Sequence, residues 1–149
     1  MSELATNRRA NYDYEILERF EAGIELHGYE VKSIKTGHVS IAGSHVTVRN
    51  GAAWLLNSDI PPYQPKNMPK DYDHSRTRKL LLNKKEIDEL TGRIKEKGLT
   101  AIPLRLYTAH GKRAVIKLEI GLARSKKQYD KRELLKKKEV ERTIRRESR

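Results

Sequence analysis

The chain has 149 residues and a formal net charge of +12, which allows one domain with an appendage and points to an anionic partner. It has no cysteine, which excludes disulfide scaffolds, thiolate zinc fingers and thiol catalysis. No window approaches the roughly 18 apolar residues of a membrane span, and Met1 to Ala10 lacks the apolar stretch of a signal peptide, so a cytoplasmic protein is expected.

The first element is a strand. Tyr12, Tyr14, Ile16, Phe20, Ala22, Ile24 and Leu26 fall at alternate positions, interrupted at Glu18, which predicts a long half-buried strand with a bend or bulge near Gly23. Gly28 to Thr36 reads as a short helix that turns Val31 and Ile34 inward and stops at Gly37. His45 to Arg49 and Ala52 to Asn57 flank Asn50-Gly51, a two-residue turn whose positive φ angles those residues tolerate. Ser58 to Asp73 carries four of the five prolines and reads as a surface loop.

A second helix starts at Asn83, a capping residue with Glu86 three positions on. Ile87, Leu90 and Ile94 share its apolar face, and Gly98 sits where a C-terminal glycine belongs. Ile102, Leu104 and Leu106 then alternate, as do Ile116, Leu118, Ile120 and Leu122, predicting a hairpin that turns near His110-Gly111. The fold class expected from this series is mainly β: an OB-fold-like antiparallel β-barrel with two to three flanking helices, closed because an open sheet of this size leaves edges.

The last 26 residues, Arg124 to Arg149, hold 12 Lys/Arg against 5 Asp/Glu. Their few sizeable apolar groups (Tyr129, Leu134, Leu135, Val140 and Ile144) cannot offset the entropy of ordering the segment alone. The expected division is therefore a barrel over residues 1–123 and a basic tail over 124–149 that orders on a polyanion. The apolar residues of the tail are too few and too poorly phased for a membrane-surface helix, so nucleic acid is the better partner.

Chemistry is sparse. The five histidines are scattered, and Asp71, Asp73 and His74 form the one acidic cluster; as a metal site it suits a nuclease, but in a Pro-rich loop such residues form solvated turns. No phosphate loop, nucleophile elbow or paired-carboxylate motif occurs, so no catalytic residue, metal or cofactor is expected. Arg8-Arg9 and Arg76, Arg78, Lys79, Lys84 and Lys85 form basic groups outside the tail, and Tyr12, Tyr29, Tyr63, Tyr72, Tyr107 and Tyr129 either stack on bases or pack in the core.

Eight strings in register extend the reading: Asn7-Arg-Arg-Ala10, Phe20-Glu-Ala-Gly-Ile24, Gly28-Tyr-Glu-Val-Lys-Ser33, Arg76-Thr-Arg-Lys-Leu-Leu-Leu82, Lys97-Gly-Leu-Thr100, Pro103-Leu104, Gly121-Leu-Ala123 and Tyr129-Asp-Lys-Arg132. Together they resemble the SsrA-binding protein family, also called small protein B, the bacterial partners of transfer-messenger RNA. The resemblance implies trans-translation: a barrel that holds the tRNA-like domain of that RNA, and a tail that probes the vacant decoding centre and mRNA channel of a stalled small ribosomal subunit, alongside the elongation factor that delivers aminoacyl-tRNA. It implies RNA contacts at Asn7, Arg8, Glu21, Leu81 and Lys117, and decoding-centre contacts at Lys126, Lys127, Tyr129, Asp130, Lys131 and Arg132.

Glu21 falls on the polar face of its strand, where a carboxylate accepts hydrogen bonds from a base edge or sugar hydroxyl, and Lys117 faces outward between Ile116 and Leu118. Two positions depart from the family pattern. Ser125 stands where glycine is usual, and Ala52 where an acidic residue is common. Two further readings remain: a ribosomal or initiation-type OB protein that binds without transfer-messenger RNA, and a metal-dependent nuclease using Asp71 and Asp73.

Overall fold

In the computed structural model, which describes residues 2–62, 68–109 and 115–126, the alternating segments become one antiparallel sheet closed on itself. Its strands are β1 (Ser2–Thr6), β2 (Tyr14–Ile24), β3 (His45–Arg49), β4 (Ala52–Leu56), β5 (Arg78–Leu81), β6 (Thr100–Thr108) and β7 (Ile116–Ser125). The helices are α1 (Ala10–Asp13), α2 (Gly28–Lys35) and α3 (Lys84–Lys97). The order β6-β3-β4-β5-β2-β7 returns to β6, so six strands form the ring and β1 lies outside it on β6. This is the mainly β, OB-like architecture expected, with closure removing the long edges an open sheet exposes.

The β3–β4 hairpin follows its turn chemistry. Asn50 and Gly51 have φ of 52° and 73°, and Val46 pairs with Leu55 in the register a two-residue turn dictates. Helix α3 begins with the expected reciprocal cap, Asn83 Oδ1 accepting from the Glu86 N–H at 2.9 Å, and ends at Gly98 with φ of 62°. Its Leu90 and the Ile34 of α2 are fully buried in the same cluster as Phe20, Ala22, Leu55, Leu80, Leu106, Leu118, Ile120 and Leu122, which fill the ring.

Three differences from the expected elements have physical causes. Tyr12 belongs to the one-turn helix α1 rather than to the strand, which starts at Tyr14. Strands β1 and β5 are only five and four residues long, too short for an alternating pattern to mark them, and pairing with their partners makes them strands. Alternation in β6 breaks at a bulge between Pro103 and Arg105. Ile102 and Leu104 therefore pack on the outer surface with Ala10 and Ala123 in a second small cluster, while Leu106 enters the main core.

One edge of β6 is shared. Ala101 pairs with Val46 of β3, and Arg105 to Thr108 pair with β1. Pro103 falls between these partners, a place where a strand proline is tolerated. Asn7 bridges the gap: its backbone N–H donates to the Leu104 carbonyl at 2.8 Å and its side-chain Nδ2 to the Pro103 carbonyl at 3.0 Å. The predicted turn at His110-Gly111 lies outside the described residues.

Candidate nucleic-acid interface

Because side chains alternate across a strand, pairing register decides which residues share the outer face. One cross-strand row runs Leu81 (β5), Gly23 (β2), Lys117 (β7), Tyr107 (β6). The next runs Glu21 (β2), Glu119 (β7), Arg105 (β6). Three of the residues singled out from the sequence, Glu21, Leu81 and Lys117, thus meet on one patch although they come from three strands.

Each has a defined setting. Leu81 leaves 53% of its surface exposed, unusual for a leucine on a polar face, and its Cβ lies 3.1 Å from where a side chain on Gly23 would begin. The glycine therefore leaves a shallow step between Leu81 and Lys117. Glu21 is exposed and accepts a hydrogen bond from the Tyr107 hydroxyl, whose ring is almost fully buried. Burial, reinforced by the Glu21 carboxylate, raises the Tyr107 hydroxyl well above its ordinary value, so it stays a neutral donor. The Arg105 guanidinium lies 4.5 Å above the same ring.

Glu21 and Glu119 are direct cross-strand partners of like charge, and the surface resolves the conflict locally. Arg105 and Arg19 lie 3.3 and 3.5 Å from the Glu119 carboxylate, while Glu21 takes the tyrosine. Arg19, Arg105 and Glu119 also line a groove of about 320 Å³ that reaches Asn7 and Asn11. Asn7, Glu21, Leu81 and Lys117 are thereby joined by one outer surface. These arginines and Glu119 were not singled out from the sequence; Arg105 and Glu119 carry the same signal as Lys117, a position between apolar residues, whereas Arg19 follows Glu18, where the alternation is interrupted.

Arg8 is exposed but lies to the side. It lines a second groove of about 670 Å³ with Arg9, Ser44, His45 and Thr100, which shares Asn7 with the first. Of the tail expected over 124–149, Arg124 and Ser125 complete β7, and of the expected decoding-centre residues Lys126 is described. Its N–H donates to the Asp13 carbonyl at 3.0 Å and its ammonium to the Asn11 carbonyl, which places Lys126 beside α1. Ser125 is in β7, paired with Tyr14, an extended setting in which serine is unstrained. Lys127, Tyr129, Asp130, Lys131 and Arg132 lie outside the described residues, as does Tyr63.

The basic run that begins at Arg76 is not the cationic surface its sequence suggests. Arg78 is completely buried and Arg76 largely so; both bond the buried Glu30, which also accepts from the His27 N–H and the Tyr72 hydroxyl. They are structural ion pairs rather than a cationic surface; Lys79, Lys84 and Lys85 remain exposed. Burial pushes the Glu30 carboxyl up, but hydrogen bonds from Arg76, His27 and Arg78 outweigh it and hold the group at about 2. In the proline-rich loop, Asp73 accepts from the Ser75 N–H at 3.0 Å as a turn former, and no group of three or more His, Asp or Glu among the described residues could hold a metal ion. No helix among the described residues is long and apolar enough to cross a membrane.

Comparison with known proteins converges. A family described as "SmpB protein" matches residues 4–149. The SsrA-binding protein of Coprothermobacter proteolyticus is 50% identical over 147 residues, covering 99% of this chain and 97% of its own. That of Gloeothece citriformis is 48% identical over 143 residues, covering 96% and 90%. A chain of the solved structure described as "tmRNA-SmpB: a journey to the center of the bacterial ribosome" superimposes with a TM-score of 0.66 at 46% identity, covering 83% of this chain and 84% of that one. With sequence relatives matched over nearly their full length and a fold shared at high identity, the chain belongs to the SmpB family of SsrA-binding proteins.

Proposed function

We propose that this protein is a bacterial ribosome-rescue factor that binds the tRNA-like domain of transfer-messenger RNA and brings it to ribosomes stalled without a codon, the process of trans-translation. The observation that carries the reading is the shared outer surface of Asn7, Glu21, Leu81 and Lys117, in a family whose members are named for binding SsrA. Lys117 meets the phosphate backbone, Leu81 packs on a sugar or base face, and Glu21, steadied by Tyr107, accepts from a base edge or a 2′-hydroxyl. Asn7 has its amide committed to Pro103, which leaves its Oδ1 to accept from the RNA. Arg8 adds a cation on the adjoining surface. Neutralising about four phosphates gives a log–log salt slope of about −3 to −4.

The tail acts separately. Lys126, Lys127, Tyr129, Asp130, Lys131 and Arg132 engage the decoding centre, with Tyr129 stacking on an rRNA base, and the residues from Glu133 onward follow the mRNA channel. A helix rises about 1.5 Å per residue, so the roughly 20 residues beyond Tyr129 reach about 30 Å. The elongation factor that delivers aminoacyl-tRNA accompanies the complex in the cytoplasm. The RNA is bound and not cut. A gel-shift titration with transfer-messenger RNA, followed by addition of Mg²⁺, tests this: tight binding with intact RNA supports it. Cleavage lost in Asp73→Ala would replace it with the nuclease reading.

A further inference from the structure

Trp54 is the chain's one tryptophan, and it is not part of the core. On β4 it alternates with Ala53 and Leu55, both fully buried, so the indole stands on the outer face, half-buried. Its cross-strand neighbours are Thr47 on β3 and Lys79 on β5. Lys79 is two residues before Leu81 and faces the same way, which places Trp54 diagonal to Leu81, a separation of about 7–8 Å in a sheet. The outer surface assigned to RNA therefore continues across β5 onto the indole without a break.

Space and charge at the indole suit a nucleotide. A groove of about 410 Å³ beside it is lined by His27, Glu25, Arg76, Thr77 and Lys79. That falls within the 300–1,000 Å³ range of small-molecule sites. A second groove, of about 460 Å³, shares Trp54 and Thr77 with the first and carries Arg49. Arg76 is committed to Glu30, so Lys79 and Arg49, both exposed, are the cations available to an incoming phosphate. An aromatic ring lining grooves with two cations, a carboxylate and a hydroxyl is the chemistry that holds an unstacked base.

We propose that the groove between His27 and Trp54 receives an unpaired nucleotide of the RNA held on the neighbouring strands. The base stacks on the indole, its phosphate lies beside Lys79, and Glu25 and Thr77 bond the base edge. The inference rests on the RNA-binding role proposed above.

A single tryptophan makes the site directly readable in the full-length protein. Titration with transfer-messenger RNA quenches the intrinsic emission, saturating with the binding seen by gel shift. Trp54→Leu, with circular dichroism and melting preserved, binds about 5- to 150-fold more weakly, the span of base–aromatic stacking; Trp54→Phe stays close to wild type. Lys79→Ala lowers the salt slope by about 0.7 to 0.9. Wild-type binding by Trp54→Leu, together with unchanged emission, overturns the slot; if Lys117→Ala still weakens binding, the broader RNA reading survives. Equal quenching by heparin also overturns it, because a polyanion without bases would then suffice. Should Trp54→Leu fail to fold, the wild-type titration and Lys79→Ala decide the matter. Absence of any RNA binding by the wild type removes both readings.

Discussion

Arg78 Nη2 lies 2.7 Å from Glu30 Oε2, and neither side chain exposes any surface. The pair fastens α2 to β5. Through Arg78 it also holds the Ser58 hydroxyl at 2.9 Å and the His74 carbonyl at 3.0 Å, tying down both ends of the proline-rich segment. Tyr72 completes the knot with bonds to Glu30 and the Ile60 carbonyl. Burial and the adjacent carboxylate raise its hydroxyl to about 12, so it remains protonated as a donor.

Removing one partner of such a pair leaves an uncompensated buried charge. Glu30→Ala or Arg78→Ala is expected to cost about 3–5 kcal/mol in denaturant unfolding. The acid limb follows from the depressed carboxyl. A carboxylate held at about 2 when folded, against 4.5 ordinarily, stabilises the fold fully above pH 4.5, and that contribution fades as pH falls towards 2. Glu30→Gln should be less stable at neutral pH and show a shallower loss over that window; an unchanged acid limb would assign acid unfolding to other groups.

Two glycines separate packing from recognition. A Cβ on Gly121 meets Leu104 Cδ1 and Cδ2 at 3.0 Å within the second cluster, so Gly121→Ala should destabilise by about 1–3 kcal/mol. A Cβ on Gly23 meets the exposed Leu81 at 3.1 Å and fills the step towards Lys117. Gly23→Ala is expected to melt closer to wild type than Gly121→Ala yet lose more RNA affinity. The reverse ranking would contradict the assignment of the outer face.

Glu21→Ala should keep the far-UV circular dichroism and melting of wild type, because the residue is exposed, while weakening RNA binding. Tyr107→Phe removes only the hydroxyl that orients the carboxylate, so its effect on affinity should be smaller and largely absent in the Glu21→Ala background. Unfolding in Glu21→Ala would make the carboxylate structural instead.

Lys117→Ala is expected to reduce the magnitude of the log–log salt slope by about 0.7 to 0.9, the signature of one lost phosphate contact. Lys84→Ala, exposed at the start of α3 and in neither outer-face row, serves as the control and should leave the slope unchanged.

Truncation has a boundary set by structure. Ending the chain after Lys126 preserves the Tyr14–Ser125 pairing and the contacts of Lys126 with Asp13 and Asn11. Such a protein should bind transfer-messenger RNA as the full chain does and fail in a ribosome-rescue assay. Ending it before Arg124 also removes the Arg124–Glu15 ion pair and the last ladder bonds, and should lower the melting temperature further.

Local chemistry determined much of this protein. The Asn50-Gly51 turn, the Asn83 cap and the alternation of Ile116 to Leu122 act over a few residues, and each is present as the sequence alone implied. The outward positions of Glu21 and Lys117 follow from the same two-residue period, and the family was legible in strings of ordered residues. What tertiary structure decided is non-local. Strands β1 and β5 exist because partners satisfy their backbone groups, and the bulge at Pro103 sends Leu104 to the opposite side of the sheet from Leu106. Arg78, one of a basic run in the sequence, is internal because Glu30, distant along the chain, meets it. Likewise the row Leu81–Gly23–Lys117 is made by pairing register, and register depends on which strands the closed ring brings side by side.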